Sequence, residues 1–585
     1  MVGVLKKRHF VLFVKDRLFT QLLTHRERVM AYPEKAESET ASSGGRSSSR
    51  RVSFGANEVL PDSSTPNTLA PMAALHAELR SKTPEGGSPL DMKTIKKSLG
   101  VDDTSAHYET YDYPPSAAGR RLENSELKVV LANRTKTGAF EPSRKGSLSA
   151  SEVEMVVHRL VHTTEAIDLH THIFPASHGQ LLLYGIDELL TYHYLVAELF
   201  MVIPWDGPIS SPDDFFSWPK AVQAELVFEE LFVNRSPLSE ACRGVVTSMQ
   251  SLGLGDKFRE ATRSPARGSR LTPLREWFAK QDPYEYVAKV FKEANLKYAV
   301  MTNVPFNPEE AMHWFPADGT TPTLPDALKP SLRVDPLLSG DWGIASAALL
   351  SASPPYPNTL DGLATFLDDW VDRMNPVYLM ASTPAGFKYE PEIEGKANGH
   401  AKGATPSAAQ TLALVLRLAA ERGLPVALKV GCVRGVNPAL GDAGDGVEEA
   451  NLDFLVELCS RYPEVKFLVT VLSPENQHEL CVLARKFGNL HVYGCWWFCN
   501  NPSIIESTTR MRLEMLGSAF SAQHSDARVL EQLVYKWKHS RAAIAPVLAK
   551  QYSGLVKAGW ELTEAEVERD IKRLFGGAYE EFINK

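Results

Sequence analysis

The chain contains 585 residues, 44% of them apolar, and its formal net charge is −8. This length exceeds one ordinary domain, although a barrel with insertions can account for it. The acidic balance argues against a general nucleic-acid-binding protein, which is usually basic, and the sequence has no run of about eighteen uninterrupted apolar residues that would predict a membrane-spanning helix.

The first 149 residues differ in composition from the rest. Residues 1–30 are rich in Lys and Arg with apolar residues between them, a pattern shared by organelle transit peptides and ordinary terminal helices. Residues 41–51 are dominated by Ser, Gly and Arg, and such a segment buries too little apolar surface to fold. We therefore predict a mostly disordered extension at 1–149, with organelle targeting by residues 1–30 left open, and one folded domain at 150–585.

From Ser151, which precedes Glu154 in a capping-box pattern, short apolar or β-branched runs alternate with helical patterns. The predicted helices include 359–374, 408–422, 452–462 and 477–487. The predicted strands are residues 166–174, 297–306, 331–338, 376–382, 424–431, 466–473, 490–498 and 520–529. Eight strands alternating with helices predict a (β/α)8 TIM-type barrel.

Two segments interrupt the even spacing of this barrel. A long helix-rich insertion, at about 181–292, follows the first predicted strand, and a Gly-rich loop at 388–406 follows the fourth. Insertions that follow barrel strands lie on the carboxyl face, where active sites are found. We therefore expect both segments to border a site.

His170 and His172 lie on the first predicted strand and are separated by one residue. Residues i and i+2 of an extended strand point to the same side, so the two imidazoles can hold one divalent metal ion. The alternative is a pair of histidines on a solvated strand face. The apolar run around them and the turn at Pro175 favour the metal site.

The carboxyl ends of the other predicted strands supply further polar and aromatic side chains. Asp526 would complete an open set of two histidines and one carboxylate for a single ion, although it could instead cap the following helix. The arginines are planar donors suited to a ligand that carries a carboxylate. Trp496 and Trp497, as consecutive strand residues, are expected to face opposite ways, one into the core and one into the site. The residues at these strand ends are Asn303, Arg333, Asp335, Ser382, Lys429, Arg434, Ser473, Trp496, Trp497, Asp526 and Arg528.

Four sequence blocks resemble the uronate (glucuronate) isomerases of the amidohydrolase superfamily. Asp168-Leu169-His170-Thr171-His172 matches the first-strand metal motif of that family, and Tyr192-His193-Tyr194-Leu195 resembles its Asp-His-Tyr-Lys block. Tyr493-Gly494-Cys495-Trp496-Trp497-Phe498 matches its Gly-x-Trp-Trp-Phe strand, and Ser525-Asp526-Ala527-Arg528 resembles its closing Thr-Asp-Ser-Arg. The two later blocks, in this order, are the most specific.

Other blocks depart from the family pattern. Lys429-Val430-Gly431-Cys432-Val433-Arg434 stands where the family has His-Ile-Gly-Ala-Leu-Arg, so Lys429 replaces a histidine. Lys429 either keeps a cationic role in the site or extends its ammonium to solvent from the strand end. Arg333-Val334-Asp335 lacks the proline of the family's Arg-Pro-Asp. The chain therefore resembles a divergent branch.

The resemblance implies an intramolecular oxidoreductase that interconverts an aldose hexuronate and its ketose, of the glucuronate/fructuronate type. It implies one divalent metal ion, for which we expect zinc, bound by His170, His172 and Asp526. By the same resemblance the catalytic residues are Tyr194, Asp526 and Arg528. The expected substrate-binding residues are Arg333, Lys429, Arg434, His193 and Trp497, with ordinary helix packing as the alternative for His193.

Two other functions remain open from the sequence. A mononuclear metal-dependent amidohydrolase that cleaves an amide, ester or lactone would share the first-strand motif, but the fourth predicted strand has no Lys to carboxylate and the sixth has no His. A non-catalytic barrel scaffold would not need His170, His172, Asp526 and Arg528 intact.

The six cysteines form no Cys-x-x-Cys pair or disulfide framework, which predicts a reducing, cytoplasmic location. We expect a small sugar acid as ligand and no nucleic-acid or membrane partner; a homo-oligomer is left open.

Overall fold

The computed structural model describes residues 146–204, 209, 211–320, 322–391 and 405–585. The predictions for residues 1–145 of the extension concern residues outside these ranges. Most of the predicted loop at 388–406 also lies outside them. The described chain is organised around a curled, mainly parallel sheet. Its strands are β1 (Ala166–Thr171), β2 (Leu296–Asn303), β3 (Leu328–Arg333), β4 (Leu379–Pro384), β5 (Val426–Val433), β6 (Gly446–Val447), β7 (Phe467–Val471) and β8 (Leu490–Val492).

The strands pair in the order β1-β2-β3-β4-β5-β7-β8, and the short β6 pairs antiparallel with β5. The register places Ser382 beside Lys429 and Lys429 beside Thr470, so the carboxyl ends of the central strands lie at one level. Residues 520–527 contact both edges of the sheet: Ser521 N donates to Val492 O (3.0 Å), and His172 N donates to Ala527 O (2.7 Å). The eighth predicted strand therefore joins both edges, but through isolated bridges instead of a regular ladder.

Helices follow or precede most strands. The insertion predicted between the first two strands is helical, and the helices predicted after β3, β4, β6 and β7 are confirmed within three residues at each end. The helices are α1 (Ala150–Thr163), α2 (Ile186–Leu190), α3 (His193–Val202), α4 (Pro212–Ser217), α5 (Lys220–Phe228), α6 (Glu240–Ser251), α7 (Gly255–Arg263), α8 (Thr272–Phe278), α9 (Pro283–Ala294), α10 (Pro308–Trp314), α11 (Asp335–Ser339), α12 (Trp342–Ser351), α13 (Leu360–Met374), α14 (Ala408–Arg422), α15 (Asp453–Arg461), α16 (Asn476–Ala484), α17 (Pro502–Leu516), α18 (Gln532–Lys557), α19 (Glu564–Lys572) and α20 (Ala578–Ile583).

Several element boundaries differ from the prediction; the strand predicted at 490–498, for example, ends at Val492. The end of the third strand and the start of the first helix differ for identifiable reasons. The third strand ends at Arg333, because Asp335 and Pro336 begin α11 and proline is favoured in a first helical turn. The first helix is capped two residues earlier than predicted: Ser149 N, not Ser151, donates to a Glu152 carboxylate oxygen (2.8 Å) in the capping box. Both predictions identified the right elements at the wrong residues.

The interior of the curled sheet is filled by apolar side chains near the amino ends of the strands. Helix α20 contributes Tyr579 and Phe582 to this layer, which closes that end of the interior. The strand residues of the layer are Ile167, Leu169, Val300, Tyr378, Met380, Ala427, Leu468 and Tyr493. A larger apolar cluster packs the helices against the outside of the sheet.

Candidate active site

The buried carboxylate of Asp168 joins β1 to the segment that carries Asp526. Asp168 Oδ1 accepts a hydrogen bond from Ser525 N (3.0 Å), and its Oδ2 accepts one from Trp537 Nε1 (2.8 Å) on α18. Asp526 N also donates to His170 O (3.0 Å). Asp526 itself has a left-handed backbone with φ of 53°, a conformation that is costly for a residue with a side chain and that is concentrated at functional sites.

Two histidines and one carboxylate meet at this edge of the sheet. His170 Nε2 lies 2.9 Å from Asp526 Oδ1, and His172 Nε2 lies 3.5 Å from the same oxygen. Ligand atoms of one tetrahedral zinc ion are roughly 3.3–3.6 Å apart. The three ligand atoms here all lie within 4.8 Å of one another, so they are close enough to share one ion. The three residues therefore fit one divalent ion. Asp526 does not cap α18, whose N-cap residue is Glu531.

The ionisation states of these residues suit metal binding. Burial lowers the pKa of His170 to about 3, assisted by the charge on Lys429, and burial also lowers the pKa of His172 to about 3. Burial alone would raise the pKa of Asp526, but its contacts with both histidines and the charge on Lys429 hold that pKa well below the usual value. Neutral imidazoles and an ionised carboxylate are the forms that ligate a metal.

Lys429 lies inside this cluster. It is only 2% exposed, and its Nζ lies 2.9 Å from His170 Nε2. The alternative of a lysine that reaches solvent is therefore wrong, because its position on β5 directs the side chain inward. Burial lowers the pKa of Lys429 to about 7.

The predicted arginines differ in how accessible they are. Arg333 is 16% exposed and donates through Nε and Nη2 to Asp335 Oδ2 (2.9 and 2.5 Å). Arg434 pairs with Asp445, and its side chain is 53% exposed. Its guanidinium lies 5.7 Å from the centre of the Trp497 ring. Arg434 is thus the more accessible donor for a ligand that carries a carboxylate.

Tyr194 lies in the first turn of α3 and stacks on Phe498, with ring centres 6.1 Å apart. Burial raises the pKa of Tyr194 well above its usual value, so its hydroxyl keeps the proton at neutral pH. Its oxygen has no hydrogen-bond partner among the described residues. His193 packs edge-on against Trp497, at 5.8 Å between ring centres.

The prediction that Trp496 and Trp497 face opposite ways is wrong. Both are buried in one apolar cluster with Cys432 and Leu472. Strand β8 ends at Val492, and Trp497 begins a 3-10 turn with φ of 45°, so strand alternation does not apply to this pair. Lys429 Nζ lies 5.2 Å from the Trp496 ring centre, and both indoles therefore border charged site residues.

A pocket of about 590 Å³ opens between the helical insertion and the turn that follows β5. Arg528 Nη1, in its wall, donates to Asp442 Oδ2 (2.7 Å) from that turn. Burial and the charge of Asp526 raise the pKa of Tyr192, another residue of this wall, well above its usual value. The polar and charged lining includes Glu188, Tyr192, His193, Asp213, Lys220, Gln223, Asp442 and Arg528.

His524 was missed by the sequence interpretation. It is fully buried, and its ring centre lies 5.4 Å from that of His170. It packs against Gly494, whose φ is 66° and where an added Cβ would lie 1.8 Å from His524 Cδ2. Neither ring nitrogen of His524 has a hydrogen-bond partner among the described residues. The available signal was its spacing from Asp526, which repeats the i, i+2 spacing of His170 and His172.

The fold and the cluster define a class of α/β protein that holds two histidines and one carboxylate at the carboxyl edge of a curled parallel sheet. A uronate isomerase from Bacillus halodurans C-125 is 42% identical to this chain, over 75% of this chain and 97% of its own, with a TM-score of 0.66. The chain belongs to the uronate isomerase family.

Two more distant structures share the fold at 14% identity. A uronate isomerase from Thermotoga maritima matches 74% of this chain and 99% of its own length, with a TM-score of 0.53. A glucuronate isomerase from Caulobacter crescentus matches 76% and 97%, with a TM-score of 0.55. No family model and no curated protein sequence matches the chain. No helix in the described ranges combines the length and apolar character needed to cross a bilayer.

Proposed function

We propose that this chain is an isomerase that interconverts an aldose hexuronate, of the glucuronate type, and its 2-keto form. The observation that carries the proposal is the convergence of His170, His172 and Asp526 in a chain 42% identical to a uronate isomerase. Membership of that family favours isomerisation over hydrolysis of an amide or ester, and over a scaffold without activity.

We also propose that residues 520–529 take the place of the eighth strand in a complete (β/α)8 barrel, within a folded domain at 150–585. Their hydrogen bonds to β1 and β8 support this. The six buried, unpaired cysteines agree with a reducing, cytoplasmic location.

His170, His172 and Asp526 would hold the divalent ion, for which zinc is our expectation because neutral imidazoles and a carboxylate suit it. When bound there, the ion supplies Lewis-acid polarisation of a substrate oxygen. The remaining chemistry falls to side chains of the chain itself.

Isomerisation moves one proton from C2 to C1 of the sugar and the hydroxyl proton from O2 to O1, through an enediolate, so that the C1 carbonyl becomes a hydroxyl and the C2 hydroxyl becomes a carbonyl. Asp526 is ionised and is the acceptor we assign for the C2 proton, which it returns to C1. Tyr194 keeps its proton and has a buried, unpartnered oxygen within the described residues, so it is suited to donate a hydrogen bond to the developing oxyanion. Arg528 supplies positive charge from the pocket wall.

The substrate carboxylate is assigned to Arg434 first. Its guanidinium is half exposed and lies over Trp497, whereas the Arg333 side chain is only 16% exposed and Lys429 is buried against His170. His193 and Trp497 would contact the sugar ring from the side of α3, consistent with the pocket that His193 lines. These roles rest on position and chemistry together.

The test is conversion of D-glucuronate and D-galacturonate by purified, zinc-supplemented protein, with D-glucose as a control that lacks the carboxylate. We expect ketose formation from at least one uronate, none from glucose, and loss of turnover in His172→Ala. Turnover unchanged in His172→Ala, or no product from either uronate, would contradict the proposal.

A further inference from the structure

A buried lysine on α18 lies next to Tyr194. Lys536 is only 1% exposed, and its Nζ lies 5.3 Å from the centre of the Tyr194 ring and 5.4 Å from that of Tyr535. At these distances an ammonium is attracted to the face of an aromatic ring. None of the isomerisation steps assigned to the site uses this lysine, so its charge has no role in them yet.

One carboxylate faces the ammonium. Glu240, at the start of α6, places its Oε1 3.5 Å from Lys536 Nζ. His539 Nδ1, one turn further along α18, lies 3.6 Å from the same oxygen. The carboxylate thus pairs with Lys536 and connects α18 to α6.

The start of α6 is also fixed to the helix that carries Tyr194. Ser239, the N-cap residue of α6, donates from its Oγ to Glu198 Oε2 (2.7 Å). Glu198 lies on α3, one turn after Tyr194. The ion pair of Lys536 and Glu240 is therefore held in place relative to the phenol by hydrogen bonding between the two helices.

Packing and stability give little reason for a charge at position 536. Taking an ion pair out of water is costly, and its replacement by apolar side chains of similar volume is often neutral or stabilising. The rings of Tyr194 and Tyr535 already offer an apolar surface, against which a methionine of similar length could pack. The charge of Lys536 is thus the property that needs an explanation.

That charge bears on the hydroxyl group of Tyr194. Within the part of the chain that the structure describes, this hydroxyl is buried and has no hydrogen-bond partner, which leaves it available to a substrate oxyanion. A cation at the ring draws electron density from the phenol and makes its O–H a stronger hydrogen-bond donor. In a buried site such electrostatic effects are screened less than in water.

We propose that Lys536 is a positioning residue that acts through Tyr194: its ammonium polarises the phenol and strengthens the hydrogen bond that Tyr194 donates to the enediolate. This inference rests on the proposed isomerase function and adds to it a residue outside the metal-ligand and substrate-binding groups. Glu240 carries the opposite charge, so its removal should act on the phenol in the opposite direction to removal of Lys536.

The first test measures the phenol directly, without an activity assay. In the full chain Tyr194 is replaced by a trifluorinated tyrosine, whose hydroxyl is more acidic than that of tyrosine, and fluorine NMR follows its titration. We expect the pKa of this phenol to rise by at least about one unit in Lys536→Met and to fall in Glu240→Gln. Lys538→Met is the matched control on the same helix, since that lysine is 42% exposed and pairs with Glu293; it should leave the pKa unchanged.

The second test asks whether Lys536 acts through Tyr194 in turnover of D-glucuronate. We expect kcat to fall about tenfold in Lys536→Met with KM within about threefold of wild type, and to be largely restored in Lys536→Arg. Added to Tyr194→Phe, Lys536→Met should cause no further loss. Lys536→Gln, a second uncharged replacement, keeps the comparison informative if the methionine variant misfolds.

Two results would overturn the role of Lys536 and leave the isomerase standing. One is an unchanged phenol pKa in both uncharged variants. The other is the same tenfold loss of kcat in the presence and in the absence of the Tyr194 hydroxyl. Failure of wild type to convert either uronate would instead overturn the proposed function, and with it the catalytic effect of Lys536.

Discussion

Two buried carboxylates close in sequence, Asp526 and Glu531, have opposite ionisation behaviour. The pKa of Asp526 lies well below its usual value, because contacts with His170 and His172 and the charge of Lys429 outweigh burial. Burial raises the pKa of Glu531 to about 7, and its Oε1 accepts hydrogen bonds from two neutral donors, Gly185 N (3.0 Å) and Tyr286 Oη (2.7 Å). Neighbours, more than depth, decide which carboxylate stays charged.

The difference in ionisation distinguishes a candidate catalytic carboxylate, Asp526, from a structural one, Glu531. The residues around Asp526 bring metal-ligand atoms and positively charged groups close together and keep the carboxylate ionised, as is common at functional sites. Glu531 instead links the helical insertion to α18, since Ser248 Oγ on α6 also donates to Glu531 O (3.0 Å). One carboxylate is therefore expected to govern activity, and the other to govern stability and its pH dependence.

The largest effect should follow from Asp526→Asn. Loss of the charged carboxylate removes both a metal ligand and the proton acceptor, so kcat/KM should fall about 1,000-fold or more, equivalent to about 4 kcal/mol of transition-state stabilisation. Steady-state assays at pH 7.5 measure this, with Glu531→Gln as the matched control that should stay within about fivefold of wild type. Equal losses of kcat/KM in the two variants would contradict the assignment of a catalytic role to Asp526 and a structural role to Glu531.

Arg528→Met should cost less. Arg528 contributes positive charge from the wall but is not a metal ligand, and removal of one oxyanion-stabilising group typically costs about 100-fold, or about 3 kcal/mol. We expect kcat to fall while zinc affinity stays near that of wild type. A variant that loses zinc instead would place Arg528 with the metal-holding residues and contradict the assigned role.

Glu531 should contribute a pH-dependent component of the free energy of unfolding. Its folded pKa of about 7 exceeds the ordinary 4.5, so the folded state binds the extra proton. Its stabilising contribution is full below pH 4.5 and is lost as pH rises through 7. Relative to Glu531→Gln, wild type should lose about 2–3 kcal/mol of unfolding free energy between pH 5 and pH 8. Urea unfolding at both pH values checks this; parallel pH profiles of the two proteins would refute it.

Asp442→Asn should have the smallest effect. The Asp442 side chain is 63% exposed and its ion pair with Arg528 is at the pocket wall, where such pairs contribute about 0–1 kcal/mol. We expect the free energy of unfolding to change by less than about 1 kcal/mol and KM for the uronate to shift by less than about fivefold. Thermal unfolding and steady-state kinetics measure both. A loss as large as that in Arg528→Met would show that the pair is a fixed part of the site.

The sequence predicted the parts of the fold and site that depend on local pattern. Strand and helix periodicity located every strand of the parallel ladder, and the spacing of His170 and His172 predicted a shared face. The end of the third strand and the orientation of the indole pair were predicted wrongly, because a proline-initiated helix and a 3-10 turn follow where the apolar residues suggested more strand.

The remaining features depend on contacts between distant segments, which local pattern does not encode. The carboxylate of Asp168 meets Trp537 only because the sheet curls. Lys429 could be assigned neither to solvent nor to the site until the register of β5 fixed its direction. The partnership of Arg528 with Asp442 depends on the turn after β5, whose conformation no motif predicted.

Transfer of the carbonyl from C1 to C2 of a hexuronate tests the central claim most directly. D-Glucuronate labelled with 13C at C2 is incubated with zinc-loaded wild type and with Asp526→Asn, and 13C NMR follows the labelled carbon. We predict that wild type converts the C2 resonance from that of a hydroxyl-bearing carbon to that of a keto sugar, while Asp526→Asn does so at least about 1,000-fold more slowly. A C2 resonance unchanged by wild type, or converted equally by both proteins, would contradict the account.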